Sequence, residues 1–541
     1  MKNKNIRKAS ELFLEIFGYL IVITPALGYW VHWYFYKNYW SYADPTAWYF
    51  LDSLSIFSGG SYKFLDHPGT PVQIIGSFLL ALTLPFFESR HAFIEYHIAN
   101  PELFFNMTNL FLLFFNSLTS ILLYRLSREF IKTYSTLAAI AVALSYYAVN
   151  DWSFVMLTYW QHNALYFTFG ALWWIILYKK ILKNTFTKKD SLVFGFFAGV
   201  LAHIQVFFIP FIFSSIIASF VYENLNNESQ KRAYTFSGYA ILGNLIGILS
   251  MIIPVYQEFP RFIHWIRRLI FSEGLYGDGA QTFFTFDALS ESLFKWKLYN
   301  EFMIYTGVFL IAGCIVGVLY CQRYCLRVKE QVFPILISLL VHIFILIIFL
   351  TKVYAEPRFS LSLAAIVPIL FIVFLQLTQF FRIRYFVIFL YFFIFMQAFG
   401  NMQTMLDSQY EGHVLEIELA ASKSAVVKSF AQTYNVEENE IVILYAYGTP
   451  LKCAALTLAN DWLGSFDKEI SRICPNQFAV FGSSWEPSTP KPLIDATMVD
   501  WDILVFKHET FLSIINVDPG DIKYVPGRWG IEKRMWFFVR K

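Results

Sequence analysis

The feature that most constrains this chain is the length of its apolar runs. Segments near 12–32, 103–124, 235–256 and 332–351 each approach the roughly twenty residues that carry a helix across a bilayer. Inside hydrocarbon a backbone must satisfy its own hydrogen bonds, so runs of this kind fold as helices. Others of the same character lie at 135–150, 160–178, 191–206, 207–222, 301–320, 360–378 and 384–400, which makes about eleven in all. Only 15% of the 541 residues are charged and 57% are hydrophobic, where soluble domains carry about 25% charged residues. That much apolar surface exceeds what one globular core can hide. The pattern predicts an all-α polytopic membrane protein.

Lysine and arginine assign the sides, because short basic loops stay cytoplasmic. The clusters are Arg125, Arg128 and Lys132, then Lys179, Lys180, Lys183, Lys188 and Lys189, then Lys231 and Arg232, then Arg323, Arg327 and Lys329, then Arg382 and Arg384. They fall on every second loop. With the basic start MKNKNIRKASELF, they predict a cytoplasmic N-terminus and, with eleven spans, an external C-terminus in the plasma or inner membrane. No small-residue cleavage site follows that start, so it reads as an uncleaved first helix. The net charge of +3 and the lack of a basic arm argue against nucleic acid as a partner.

The same regularity bears on PVQIIGSFLLALTLPFF, residues 71–87. A crossing there would turn every later basic cluster outward. The stretch reads instead as a helix lying in the interface or re-entering from outside. Residues 33–102 then form one external loop with juxtamembrane helices, within a membrane domain spanning 1–400. Residues 401–541 have ordinary soluble composition. There NEIVILYAYG, NQFAVFG and WDILVFKH read as short buried strands between turn residues, with helical stretches such as GHVLEIELAASKSAVVKSFAQTY between or before them. This predicts a small extracytoplasmic α/β domain. Cys453 and Cys474 lie in it and either pair, as an oxidising compartment allows, or stand as two buried thiols. No CxxC occurs, and no Walker loop, HExxH or GxSxG, which removes the simplest readings of ATP-driven transport and hydrolysis.

The polar residues of interest gather in the external loops. Asp44 opens ADPTAWYFLDSLSIFSGGSYKF. A carboxylate at the membrane face can take a proton from an acceptor hydroxyl. Asp followed by Pro is also a strong helix start, and one residue can do both. Asp52 lies about two helical turns further on. In FLDHPGTPVQII, Pro68, Gly69 and Pro71 force a turn that holds Asp66 and His67 at the surface. His67 is either a phosphate contact or a solvated loop residue.

These motifs resemble the first external loop of the GT-C superfamily of membrane glycosyltransferases, which includes the protein O-mannosyltransferases and the lipid A aminoarabinose transferases. An Asp opens a helix with Trp48-Tyr49 one turn later, a glycine pair closes it, and His67-Pro68 leads into the next helix. The resemblance implies transfer of a sugar from a polyprenyl-phosphate donor to a lipid, glycan or protein acceptor outside the membrane, with Asp44 as the catalytic carboxylate. Where those proteins have a second proline, this chain has Gly69.

The resemblance also implies an acid near the external end of the fourth span. Asp151, or the Gln161-His162-Asn163 run, stands there. In some members that acid helps hold a divalent ion. His203 occupies the region where members tend to have a lysine. Arg358, ahead of the tenth span, matches an arginine that grips the lipid phosphate, with Lys352 and Glu356 beside it. A planar guanidinium suits that task because it bonds two oxygens at once. Apart from the resemblance, Arg261, Arg267 and Arg268 in the 257–300 loop are further candidates for phosphate contact. The other functional class open to such a chain is a transporter or flippase of a lipid-linked substrate, which calls for repeats and mid-membrane charges.

Overall fold

The computed structural model describes residues 2–41, 43–64, 69–131, 135–205, 208–227, 229–271, 305–317, 326–350, 365–378, 384–446, 449–480, 502–506, 522–525 and 536–540, with 286, 287, 289, 290, 294 and 361 besides. In chain order the helices are α1 (Lys2–Phe35), α2 (Ala43–Ser55), α3 (Thr70–Ala81), α4 (Arg90–Ala99), α5 (Pro101–Phe130), α6 (Ser135–Ala148), α7 (Trp152–Val155) and α8 (His162–Leu182). There follow α9 (Lys188–Ala202), α10 (Ile209–Asn227), α11 (Gln230–Ile252), α12 (Phe259–Phe271), α13 (Tyr305–Gly317), α14 (Leu326–Leu350), α15 (Val367–Thr378) and α16 (Arg384–Tyr434). Strands β1 (Ile443–Ala446), β2 (Gln477–Val480), β3 (Ile503–Phe506), β4 (Ile522–Val525) and β5 (Trp536–Arg540) alternate at first with helices α17 (Lys452–Leu463) and α18 (Asp467–Ile473).

Among the described residues, five helical stretches are long and apolar enough to cross a membrane: Glu11–Phe35, Pro101–Phe130, His162–Leu182, Gln230–His264 and Val332–Phe349. The pair Thr70–Phe86 and Arg90–Ala99, bent by 116°, makes a sixth if it is one broken span. The chain is thus a mostly helical membrane protein. Every one of the eleven apolar runs in the sequence carries a helix, and α6, α13 and α15 are shorter apolar ones.

The chain divides into two compact units. One holds residues 1–32, 65–72 and 109–406, and the other holds 33–64, 73–108 and 407–541. In the first, α9 and α11 pack backbone to backbone. Gly195 faces the Ala240 carbonyl, Gly199 that of Asn244, Gly243 that of Leu192 and Gly247 that of Phe196, each so close that an added Cβ would collide. Small residues four apart are how apolar helices approach when no hydrophobic force separates them from lipid. Polar side chains bind α10 to this pair: Ser191 Oγ donates to Ser219 Oγ at 2.9 Å, and Asn244 Nδ2 to Ser215 Oγ at 2.9 Å. A capping box starts α9, where Thr187 and Asp190 satisfy each other's backbone donors.

In the second unit the sheet has order β2-β1-β3-β5-β4. β1 runs parallel to β2 and β3, and β5 antiparallel to β3 and β4. β1 lies in NEIVILYAYG, β2 in NQFAVFG and β3 in WDILVFKH. Both faces of β1 are buried, at Ile443, Leu444 and Tyr445, and one face of β3 is buried at Ile503 and Val505, as a strand between two neighbours in a covered sheet requires. Cys453 and Cys474 are joined by a disulfide, their Cα atoms 5.7 Å apart. The helix α17 packs on α2, and Lys63 Nζ donates to the Leu463 carbonyl at 3.0 Å. Arg472 pairs with Glu95 at 2.7 Å, and Lys452 with Glu102 at 3.3 Å. Segments 33–64 and 73–108 are therefore tied into the same unit as the sheet.

Candidate functional site

In the unit that holds the sheet, α2 begins at Ala43. Asp44 thus falls inside the first helical turn, two places past the N-cap, where its Asp-Pro sequence suggests the N-cap itself. A carboxylate there still meets the positive end of the helix dipole. Behind it every residue from Pro45 to Ser55 is buried, so the helix that carries Asp44 is packed along its length.

Asp52 shows how that helix is fixed. Its side chain is 0% exposed, yet both oxygens are occupied. The N–H of Lys63 donates to Oδ1 at 2.9 Å and to Oδ2 at 3.0 Å, and the N–H of Phe64 to Oδ2 at 3.0 Å. Gln73 Nε2 donates to Oδ2 at 2.7 Å and to the Phe64 carbonyl at 2.6 Å. Charge-assisted bonds of this type are roughly twice as strong as neutral ones. They close the loop after Gly59-Gly60 and draw α3 against α2. Ser53 Oγ donates to the Gln73 carbonyl at 3.2 Å and Ser77 Oγ to the Ser53 carbonyl at 2.8 Å. Gly76 lets the helices approach, since a Cβ there would strike Ser53.

A second carboxylate holds the chain just before Asp44. Glu416 of α16 accepts the N–H groups of Trp40 at 2.7 Å and Ser41 at 2.6 Å, and the Ser41 hydroxyl at 2.9 Å. Burial pushes its carboxyl up to about 7, against these bonds, which favour the ionised form. His413 Nδ1 lies 2.7 Å from the Lys37 carbonyl, and Tyr36 packs edge-on against Tyr410.

The other unit holds Gly69, Asp151, His162, His203 and Arg267. Gly69 stands at φ +49° and donates its N–H to the Ile204 carbonyl at 3.2 Å. His203, beside Ile204, is 4% exposed and its ring stacks on Phe262 of α12 at 5.4 Å. Its Nδ1 has no hydrogen-bond partner among the described residues. The structure therefore brings Gly69, His203 and the arginine-bearing helix α12 together. On that helix Arg267 is exposed, and Arg268 is placed as a helical position only. Asp151 caps α7 by accepting the Trp152 N–H at 2.8 Å. Its burial raises the carboxyl pKa, and the Trp152 bond lowers it in part. His162 is buried as the first residue of α8. Asp66, His67, Lys352, Glu356 and Arg358 lie outside the described residues.

Among the described residues no three His, Cys, Asp or Glu side chains gather as a cation set. The residues that sequence reasoning missed are Gln73 and Glu416. Gln73 reads as one polar residue in an apolar helix, and Glu416 as the solvated face of an amphipathic one. Glu416 meets its partners across some 375 positions, and no local pattern signals such a contact. Set against protein-family models, curated proteins and solved structures, the chain matches none of them.

Proposed function

We propose that this protein is an integral-membrane glycosyltransferase that moves a sugar from a polyprenyl-phosphate donor to a lipid, glycan or protein acceptor on the outer face of the membrane. The observation that carries the reading is the placement of Asp44 on the first turn of a helix buried from Pro45 to Ser55. A general base needs a fixed position as much as a suitable pKa. In this mechanism Asp44 takes the proton of the acceptor hydroxyl as its oxygen attacks the anomeric carbon. The bond from that carbon to the phosphate oxygen breaks, and the polyprenyl phosphate leaves with the electron pair. Arg358, Lys352 and His67 bind the departing phosphate through charge-assisted bonds. Asp66, His203, Arg267 and Arg268 border that phosphate, and Asp151 and His162 are the candidates for a second acid or for ligands of a divalent ion. Eleven spans, a cytoplasmic N-terminus and an external α/β domain complete the reading. The disulfide supports the last, because disulfides persist in oxidising compartments.

The test is transfer from labelled polyprenyl-phosphate sugars by membranes holding the protein. Asp44→Asn should abolish it, while full activity in that variant would sink the assignment.

A second reading, a transporter or flippase of a lipid-linked substrate, draws on His342. This residue is buried in α14, with Nδ1 3.1 Å from Ser214 Oγ. Ionisable groups inside membrane helices mark transport paths. A flippase would keep moving lipid-linked sugar in the Asp44→Asn variant and would lose that movement in His342→Phe.

A further inference from the structure

A cavity of about 410 Å³ opens between α16, the start of β1 and β2, and the start of α17, within the range of pockets that hold small ligands. The lining is part aliphatic, formed by Ala420, Val427, Ile443 and Leu451, and part polar. Lys423 lies in the polar part half-buried, its Nζ donating to Gln477 Oε1 at 2.7 Å and lying 5.5 Å from the Tyr445 ring. Tyr445 also donates its hydroxyl to Gln477 Oε1, at 2.6 Å. That oxygen is thus doubly used, and among the described residues the amide nitrogen of Gln477 and two ammonium hydrogens of Lys423 remain as donors. Ser424 and Asn439 add hydrogen-bonding groups to the lining.

The lysine is the telling group. Burial holds its ammonium down to about 8, and among the described residues no carboxylate pairs with it. The other cation of the lining, Lys452, is engaged by the Ala99 carbonyl at 2.6 Å and by Glu102. The exposed Glu438 also borders the cavity. A partly desolvated cation with no counter-ion, in a donor-rich hollow, is a place for an anion. The frame is fixed in advance, because Cys453 of the lining is bonded to Cys474, three residues before Gln477, and a preformed site spares a ligand the cost of ordering it.

We propose that this cavity is a binding site for a compact hydroxylated organic anion, with Lys423 taking the carboxylate or phosphate, Gln477, Asn439 and Ser424 the hydroxyls, and the aliphatic part of the lining the body. The site is independent of Asp44 and of sugar transfer. The probes are glucuronate, glucose 6-phosphate and neutral glucose, measured by equilibrium dialysis against the full chain in detergent. Binding of either anion with at least tenfold preference over glucose supports the site, and the tighter of the two names its headgroup. Lys423→Met should weaken anion binding about tenfold or more, the scale of one charge-assisted bond, while Lys423→Arg should retain most of it. Circular dichroism and an intact disulfide report whether each variant folds. The proposal fails if neither anion binds at 10 mM, a concentration on the order of those that detect weak sites. It also fails if glucose binds as well as the anions, or if folded Lys423→Met binds them unchanged.

Discussion

Gly69 donates its backbone N–H to the carbonyl of Ile204 at 3.2 Å while holding φ at +49°. The two facts explain the glycine together. Proline has no N–H to give and fixes φ near −65°, so a proline at this position can supply neither the bond nor the dihedral. The left-handed backbone costs a residue with a Cβ about 1–2 kcal/mol, less for Asn. Thermal unfolding in detergent should therefore rank the variants, with Gly69→Asn mildest, Gly69→Ala next and Gly69→Pro worst. Equal behaviour of Gly69→Pro and the parent would show that neither the bond nor the dihedral matters.

Asp52 should be the most sensitive acid of α2 for stability, as distinct from activity. Asp52→Asn keeps the shape but turns an NH2 group toward N–H donors and removes the charge. Leaving buried donors unpaired costs roughly 1–3 kcal/mol each, so a total of about 3 kcal/mol or more is expected. Limited proteolysis should then cut between Gly59 and Phe64, where the parent resists. Gln73→Ala removes the bonds from one donor group and should cost less. A parent-like melting temperature and cleavage pattern in Asp52→Asn would refute this account of the loop.

Much of the helical layout is legible in the sequence because period and length are local properties. The run 71–87 is marked as unusual by its bounding prolines, and the structure bends the pair Thr70–Phe86 and Arg90–Ala99 by 116°. What is not legible is which polar residue serves structure. Asp44 and Asp52 look alike in ADPTAWYFLDSLS, and only the folded loop reveals that Lys63, Phe64 and Gln73 consume the second carboxylate. The α9–α11 seam is a different case. Its signal, the glycine pairs of GFFAG and GNLIG, is present but reads as composition until the two pairs are seen to face one another. Glu416 and Lys423 lie at the far limit, since each is defined by partners brought close by the fold.

That seam makes a prediction of its own. At Gly199 and Gly243 the obstacle to a Cβ is backbone carbonyl of the facing helix, which cannot rotate aside as a side chain can. Gly199→Leu or Gly243→Leu should push α9 and α11 apart and cost at least the 1–3 kcal/mol of ordinary overpacking. Gly238, on α11, has open space around it, so Gly238→Ala is the control and should gain stability from its helix propensity. The yield of monodisperse protein on size exclusion in detergent reports both. Tolerance of leucine at both seam positions would overturn the packing argument.

Glu416 fixes the sign of a pH effect. Its carboxyl stands at about 7 in the folded chain and ordinarily at 4.5. Between these values the folded state holds more proton than the unfolded one, and stability falls as pH rises. The contribution is complete below 4.5 and is lost as the pH passes through 7. Glu416→Gln keeps an acceptor for Trp40 and Ser41 but carries no titration. It should therefore flatten the decline in melting temperature between pH 4.5 and 7, and be relatively most stabilising at the upper end. Glu416→Ala leaves those N–H groups without their acceptor and should be destabilising at every pH, by about 1–3 kcal/mol. A parent whose stability rises across this window relative to Glu416→Gln would mean that the hydrogen bonds from Trp40 and Ser41 outweigh burial, and that the carboxylate holding the segment before Asp44 is ionised throughout.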